Sequence, residues 1–369
     1  MTNRAGQIIR AKAPLRISFA GGGTDVPPFP QMEGGCVLCS TIKLHAYGTL
    51  RTRVDGKIQI HSLDFGHTVT YSTEDRIVYD GKLDLVKAAI LNLGDRNSGF
   101  DLYLHSDVPP GSGLGASSAM MVVLVGLLKE HRGLPMSDYE VADLAYVIER
   151  KELQIQGGLQ DQYAAAFGGF NYIDFLADRV VVNPLKICGD VMNELQYNLL
   201  LCYTGNSRLS ANIIQDQVKH YERRNEETFG ALRELKRLVL EMKDALLLRQ
   251  LDKFGELLHE EWLHKKKLSS KISNSHLDEI YEIARKHGAI GGKISGAGGG
   301  GYMLLYCQDT KKHVVANKLH EMGCVVSEVS FEPGGLQTWR VGRTDAARSS
   351  AFKPSSSEPL REVVGSVAQ

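Results

Sequence analysis

The chain of 369 residues lacks the usual marks of proteins that bind nucleic acid, cross membranes or depend on disulfides. Its 43 Lys and Arg offset 43 Asp and Glu, which argues against a nucleic-acid or anionic-membrane partner. The longest apolar run, Ala119 to Leu128, has ten residues, about half of the ~20 that span a bilayer. The N-terminal segment has no apolar signal, and six dispersed cysteines do not resemble a disulfide framework. We therefore expect a cytoplasmic setting.

Glycine, in contrast, is in excess. The chain has 38 glycines, about a tenth of its length against an average of about 7%. Glycine lets the backbone approach a ligand closely and adopt a positive φ. Because these glycines are clustered, they predict a large, polar, phosphorylated ligand. The clusters lie at 21–23, 111–115, 157–169 and 291–301.

Hydrophobic periodicity predicts a mixed chain of strands and helices. Strands are predicted at 15–19, 37–50, 57–61, 68–71, 100–105, 170–175, 195–203, 302–306 and 324–331. Helices are predicted at 83–93, 116–129, 137–154, 210–268, 276–286 and 311–322, with Ser137 as an N-cap. The composition changes near residue 190, so we predict domains at 1–190 and 191–342. The Ser- and Pro-rich tail, 343–369, is predicted to be mobile.

The strongest local signal is the loop Pro-Pro-Gly-Ser-Gly-Leu-Gly-Ala-Ser-Ser at 109–118. Its bare backbone N–H groups can face one anion, and the helix that follows adds its free amides and positive dipole end. The hydroxyls of Ser117 and Ser118 can donate to phosphate or ligate magnesium. The loop matches neither a Walker A sequence nor a dinucleotide fingerprint. An ordinary capped turn is the structural alternative.

A second glycine cluster runs from Lys293 to Tyr302. It contains Gly-x-Gly-x-x-Gly, but an apolar strand follows where a dinucleotide-binding helix would begin, so that interpretation fails. Four consecutive glycines cost considerable chain entropy. The cluster therefore favours a functional role over a purely structural one.

Two carboxylates are candidates for chemistry. Asp161 begins an apolar helical stretch beside Gly157 and Gly158, where it could accept a proton from a substrate hydroxyl. An Asp at this place is more often an N-cap. Glu149 lies twelve residues earlier. It could ligate a metal ion or belong to a solvated helix face.

Three motifs stand in order: Lys-Ala-Pro-Leu-Arg-Ile-Ser-Phe-Ala-Gly-Gly-Gly-Thr-Asp at 12–25, the loop at 109–118, and Lys-Ile-Ser-Gly-Ala-Gly-Gly-Gly-Gly at 293–301. Together they resemble the motifs of the GHMP kinases, the superfamily of galactokinase, homoserine kinase and mevalonate kinase. The resemblance covers about residues 8–335. It implies a two-domain α+β fold, with an N-terminal mixed α/β domain and a C-terminal domain of helices packed on an antiparallel sheet. The active site would lie in the cleft.

The resemblance also implies residue roles and the cofactors ATP and Mg²⁺. Asp161 would be the catalytic carboxylate, and Arg16 would stabilise the attacked phosphoryl group. Glu149, with Ser117 or Ser118, would hold Mg²⁺. The ATP phosphates would bind at Pro110, Gly111, Ser112, Gly113, Leu114, Gly115, Ala116, Ser117 and Ser118.

Within the family, the runs at 19–29 and 157–169 are similar to those of heptose 7-phosphate kinases, with L-fucose kinases as near relatives. This implies phosphorylation of the anomeric hydroxyl of D-glycero-D-manno-heptose 7-phosphate, toward nucleotide-activated heptose for surface glycans. Gly22 and Gly23 replace the Glu-His pair of galactokinase, which leaves more room for the sugar. The predicted substrate residues are Gly22, Gly23, Thr24, Asp25, Arg208, Ser210, Gly296, Ala297, Gly298 and Gly299.

Two alternatives stay open at this point. One is a kinase for L-fucose or another free hexose, and the other is a catalytically silent sugar sensor on the same fold. The expected partners are ATP, a small sugar phosphate and a second copy of the chain.

Overall fold

The computed structural model describes residues 6–95, 98–205 and 210–342, with only the backbone described for Ser210. Arg208 and the predicted tail lie outside these residues. The strands, in chain order, are Ile8–Ala20 (β1), Gly35–Arg53 (β2), Lys57–Ser62 (β3), His67–Ser72 (β4), Gly99–Ser106 (β5), Phe170–Phe175 (β6), Val180–Pro184 (β7), Leu199–Tyr203 (β8), Ala289–Ile294 (β9), Tyr302–Cys307 (β10), Val325–Glu328 (β11) and Gln337–Val341 (β12).

The helices connect and cover these strands. They are Phe29–Glu33 (α1), Asp84–Leu93 (α2), Ala116–Arg132 (α3), Asp138–Tyr146 (α4), Gln160–Phe167 (α5), Gly189–Asn198 (α6), Ser210–Glu222 (α7), Glu226–Leu247 (α8), Leu251–Lys266 (α9), Ser275–His287 (α10) and Lys312–Glu321 (α11). A π-helical turn, Val147–Glu152, continues α4, and a 3₁₀ turn, Asp309–Lys311, precedes α11.

The described strands form two sheets. The larger has the order β12-β1-β2-β5-β3-β4, with β6 paired to β2 and β7 paired to β6. Its pairs are antiparallel except β3 with β5. The smaller sheet, β11-β8-β10-β9, is antiparallel and carries the C-terminal helices. This is the α+β architecture that the resemblance implied.

The sheets change over between Pro184 and Leu199, close to the boundary predicted near residue 190. The C-terminal chain then returns, because β12 pairs with β1 over Ile8 to Lys12 and Phe331 bridges to Ile42. The predicted domain limits therefore stay a prediction, and the first sheet contains residues from both parts of the chain.

A continuous apolar core joins the two parts. Helix α3 is apolar on nearly every face and is buried accordingly, as expected of a central helix. Helices α8 and α9 extend the same core, where the ring centroids of Phe19 and Phe254 lie 5.3 Å apart. The cleft that holds the site is therefore flanked by firmly packed elements.

Several local predictions can be checked directly. Ser137 caps α4 in a capping box with Glu140, as predicted. The strand predicted at 195–203 is half wrong, because Val191 and Leu195 are buried on one face of α6 before β8 begins. The helical stretch predicted at 210–268 is three helices, α7, α8 and α9. Among the described helices, none has both the length and the apolar character that crossing a membrane requires.

Candidate active site

A polar cavity of about 280 Å³ lies where the three motifs meet. Its walls come from the turn after β1, the start of α3, the segment between α4 and α5, and helices α7 and α9. Of the predicted site residues, those that line it are Arg16, Gly22, Gly23, Asp25, Gly111, Ser112, Gly113, Gly115, Ala116, Ser117, Ser118, Glu149, Asp161, Gly296 and Ala297.

The loop at 109–118 leads directly into α3. Gly115 is the N-cap residue with φ +78°, and no side chain caps this end of the helix. The first backbone N–H groups of α3 therefore face the cavity without a capping side chain. Free N–H groups at a helix N-terminus form a favourable site for an anion. Leu114 is buried in the core, and its carbonyl accepts a hydrogen bond from the backbone N–H of Arg16 at 3.0 Å. Pro110 lines a neighbouring cavity instead.

The glycine cluster at 296–301 packs against this loop. A Cβ on Gly113, which has φ +83°, would lie 2.6 Å from the Ser295 carbonyl oxygen, so the two loops touch through bare backbone. The Tyr302 N–H donates to the Ser112 carbonyl at 3.0 Å. Gly298 and Gly299 face Ile272 rather than the cavity, and the Gly299 N–H donates to the Ile272 carbonyl. Part of this cluster is thus used for packing.

Arg16 and Asp161 form the central ion pair of the cavity. Arg16 Nε donates to Asp161 Oδ1 at 2.6 Å, and its Nη1 donates to the Gly113 carbonyl at 2.7 Å. The carboxylate is therefore tied to the glycine loop. Asp161 is in the first turn of α5, whose N-cap is Leu159, so the N-cap alternative for Asp161 is wrong.

Glu149 is fully buried and lies in the π-helical turn. Its carboxylate accepts the hydroxyls of Ser117 at 2.8 Å and Ser118 at 2.7 Å. Gln162 donates to the same carboxylate at 2.7 Å, and Arg150 Nη1 lies 3.3 Å from it. The predicted metal residues are thus brought together, although among described residues no cluster of three His, Cys, Asp or Glu side chains could hold a metal.

Asp25 also lines this cavity. Its carboxylate accepts the N–H groups of Gly23 at 3.1 Å and Gln160 at 3.2 Å. Burial and the nearby Asp161 raise the pKa of Asp25 above its usual value. A Cβ on Gly158 would lie 1.8 Å from Asp25 Oδ2, so only glycine fits there. Thr24 does not reach the cavity, because its hydroxyl lies 2.8 Å from the Gly21 and Cys36 carbonyls.

Lys265 enters the cavity from α9 and is 3% exposed. Its ammonium group donates to the carbonyls of Gly296 and Ile294. Burial, helped by the positive charge of Lys293, lowers the pKa of Lys265 to about 7. Lys293 is itself fully buried against Glu261. Nothing in the sequence pattern distinguished Lys265 from the solvated lysines around it.

A second cavity, of about 540 Å³, adjoins the polar one. The two share Gly111, Ala116, Ser117 and Ile155 in their walls. Its other walls are mainly apolar and come from segments far apart in sequence, so no motif could reveal it. They include Phe65, Leu83, Leu85, Val108, Met120 and Leu153.

Of the remaining predictions, Ser210 begins α7, and Arg208 lies outside the described residues. The polar cavity is also lined by Arg150, Gln160 and Lys265, which were not among the predicted site residues. Gln160 lies in the run at 157–169, next to Asp161, and this position in the sequence could have indicated it.

Comparisons with known proteins agree with this geometry. The GHMP kinases N terminal domain matches residues 84–169, and the GHMP kinases C terminal domain matches 242–323. The chain is 38% identical over 338 residues to D-glycero-alpha-D-manno-heptose 7-phosphate kinase of Campylobacter jejuni, covering 90% of this chain and 99% of that protein. It is 27% identical to an L-fucokinase/L-fucose-1-P guanylyltransferase of Bacteroides fragilis, covering 85% of this chain but 36% of that protein.

The fold comparison gives the same result. The crystal structure of a D-glycero-D-manno-heptose 1-phosphate kinase from Bacteroides thetaiotaomicron matches with a TM-score of 0.77 and 34% identity. That match covers 90% of this chain and 99% of the other. On this combination of motifs, geometry and full-length similarity, the chain belongs to the GHMP kinase family.

Proposed function

We propose that this protein is an ATP-dependent sugar kinase that phosphorylates the anomeric hydroxyl of D-glycero-D-manno-heptose 7-phosphate. The observation that carries the proposal is the junction of an apolar and a polar cavity at the glycine loop, with the Asp161 carboxylate beside it. The full-length similarity to a heptose 7-phosphate kinase supports this acceptor over L-fucose. The product would serve the synthesis of nucleotide-activated heptose.

The two cavities match the two halves of ATP. The apolar cavity offers Met120 and Leu153 as surfaces for the adenine ring. The triphosphate would then lie across the shared wall at Gly111 and Ser117, where the bare loop and the uncapped start of α3 face it. This order directs the terminal phosphate into the polar cavity.

The transfer itself needs positioning and charge neutralisation more than covalent chemistry. The acceptor oxygen forms a bond to the terminal phosphorus, the bond from phosphorus to ADP breaks, and the acceptor proton passes to the Asp161 carboxylate. Arg16 holds that carboxylate and the Gly113 carbonyl at once. The guanidinium group therefore fixes the proton acceptor next to the phosphate loop and offsets the developing negative charge.

The oxygen donors at Glu149 suit Mg²⁺, which is commonly held by one or two carboxylates together with substrate phosphates. Ser118 is buried and already bonded to Glu149, Gln162 and Arg150. Ser117 is exposed on the wall shared by both cavities. We therefore assign Glu149 and Ser117 as the protein ligands, and the ion would neutralise phosphate charge when bound.

The experiment is a measurement of ADP release with heptose 7-phosphate, L-fucose and D-galactose in parallel, with ³¹P NMR of the product. We expect turnover to be fastest with heptose 7-phosphate, with a new phosphate on the anomeric carbon. Faster turnover of L-fucose would replace the proposed acceptor. Binding of a sugar without turnover of any would favour the silent sensor.

The setting and assembly stay predictions. All six cysteines are free, as is usual for proteins of reducing compartments, so we propose a cytoplasmic enzyme. A homodimer is expected and can be checked by sedimentation. Arg208, one of the predicted substrate residues, is proposed as the contact for the 7-phosphate group, because its guanidinium group can bind phosphate.

A further inference from the structure

Gln160 has a buried side chain whose amide has no hydrogen-bonding partner within residues 6–95, 98–205 and 210–342. It is 6% exposed and lines the polar cavity. Its Oε1 accepts no hydrogen bond, and among the described residues none accepts a bond from its Nε2. An unsatisfied buried polar group destabilises a fold, and almost all such groups in proteins are paired. An orphaned amide in a cavity wall therefore points to a ligand.

Two other polar groups converge on the same place. Ser18 is 3% exposed and its hydroxyl bonds to no residue that the structure describes, and Lys265 is equally buried. A Cβ on Gly22 would lie 3.7 Å from Ser18 Oγ, 3.7 Å from Lys265 Nζ and 3.9 Å from Gln160 Nε2. The three side chains come from β1, α9 and α5, so the bare face of Gly22 looks onto a polar wall built by tertiary packing.

The chemistry of this wall favours hydroxyl groups over an anion. The Gln160 amide both donates and accepts, and a serine hydroxyl does the same. Asp25 accepts the Gln160 backbone N–H, and Asp161 is the next residue along α5. The carboxyl groups beside Gln160 favour a ligand that can donate hydrogen bonds, as a sugar hydroxyl can. A hydroxyl can accept from Lys265 Nζ or from Gln160 Nε2, the amide atom that lies 3.9 Å from the Cβ position of Gly22.

We propose that Gln160 and Lys265, with Ser18 packed behind them, form a subsite, termed here the Gln160 wall, which binds ring hydroxyl groups of the acceptor sugar. The proposal rests on the proposed function in that the acceptor is a sugar. Because Gln160 precedes Asp161 in the first turn of α5, a hydroxyl held at the wall fixes the distance from the reacting hydroxyl to the proton acceptor. The wall would thus select sugars by stereochemistry.

The test uses the full chain and the near-isosteric variant Gln160→Met. Gln217→Met is the matched control, because Gln217 lines the same cavity at 7% exposure but donates to the Gly23 carbonyl at 3.0 Å. In the absence of sugar, Gln160→Met should leave Tm unchanged or raise it, since no protein hydrogen bond is lost. Gln217→Met should lower Tm.

With heptose 7-phosphate, the Gln160→Met variant should lose most of the sugar-induced rise in Tm. Its KM for this sugar should rise about tenfold, equivalent to ~1.4 kcal/mol, with the KM for ATP within twofold. Gly22→Ala should raise the KM for the sugar in the same way. Its methyl group fits at ordinary contact distances but occupies the space in front of the three side chains. Gly230→Ala, on α8 with no atom within 4 Å, is its control.

The outcomes separate this proposal from the proposed function. If heptose 7-phosphate raises Tm equally in the wild type and in Gln160→Met, the Gln160 wall is overturned and the kinase assignment stands. If sugar-free Gln160→Met melts as low as Gln217→Met, its amide has a structural partner and the wall is again overturned. If neither heptose 7-phosphate, L-fucose nor D-galactose raises the wild-type Tm or is turned over, both proposals fall.

Discussion

The two cavities that meet at Gly111 and Ser117 differ in the side chains that line them. The larger is surrounded mainly by aliphatic groups, and the smaller holds Arg16, Asp25, Glu149 and nearby polar side chains. An apolar cavity binds its ligand through van der Waals contacts, and many side chains contribute to the affinity. In a charged cavity, catalysis depends on a few polar atoms that are held at fixed distances from the reacting groups. Substitutions in the polar cavity should therefore affect turnover most, and those in the apolar cavity should affect nucleotide affinity.

The largest effect is expected from Asp161→Asn. The amide keeps the size of the side chain and can still accept from Arg16, but it cannot take up the acceptor proton. We expect kcat to fall by about 10³-fold while nucleotide binding, measured by fluorescence titration, changes less than twofold. Asp178→Asn, on an exposed turn, is the control. Near-native turnover would transfer the catalytic role to another group.

Glu149→Gln should have a smaller effect that depends on magnesium. The variant can still accept from Ser117 but loses the negative charge that attracts the cation. We expect the Mg²⁺ concentration for half-maximal activity to rise about 10- to 100-fold, with partial recovery at high Mg²⁺. The readout is a magnesium titration of initial rates. An unchanged midpoint would remove Glu149 from the metal site.

Met120→Gln tests the apolar cavity. A polar amide placed against apolar walls costs about 0.5–2 kcal/mol, so the KM for ATP should rise up to about tenfold while kcat and the KM for sugar stay unchanged. Met32→Gln is the control, because Met32 is 66% exposed. A fall in kcat without a change in the KM for ATP would contradict the separation of the two cavities.

The smallest effect concerns pH and Lys265. The fold lowers the pKa of Lys265 to about 7, whereas the unfolded chain keeps this lysine charged up to its ordinary value near 10.5. From about pH 7 to pH 9 the unfolded state therefore binds more protons, so the stability contributed by this group rises with pH. Lys265→Met should remove that slope.

Melting temperatures of the wild type and Lys265→Met at about pH 6, 7, 8 and 9 provide the measurement. Above pH 7 the Tm of the wild type should rise relative to that of Lys265→Met. Below pH 7 the difference in Tm should stay constant, because at those pH values the lysine is charged in both the folded and the unfolded state. A constant difference over the whole range would show that burial does not shift this lysine.

The sequence predicted the polar cavity better than the apolar one, for a physical reason. Asp161, Glu149 and the loop at 109–118 stand beside glycines in strand–loop–helix arrangements, where local geometry already implies a function. Lys265 and Met120 belong to helices with ordinary periodicity, and only tertiary packing turns them toward a ligand. The error at 195–203 has a similar origin, because a short apolar segment does not distinguish a buried strand from a helix face.

The return of β12 to the edge of β1 has a practical consequence for anyone dividing this polypeptide. A fragment that stops near residue 190 would lack β12, so β1 would present an unpaired edge to other chains, a common origin of aggregation. It would also lack Phe331, whose ring packs 4.5 Å from that of Phe170. Separate expression of the two halves should yield insoluble material, whereas co-expression could restore the fold by complementation.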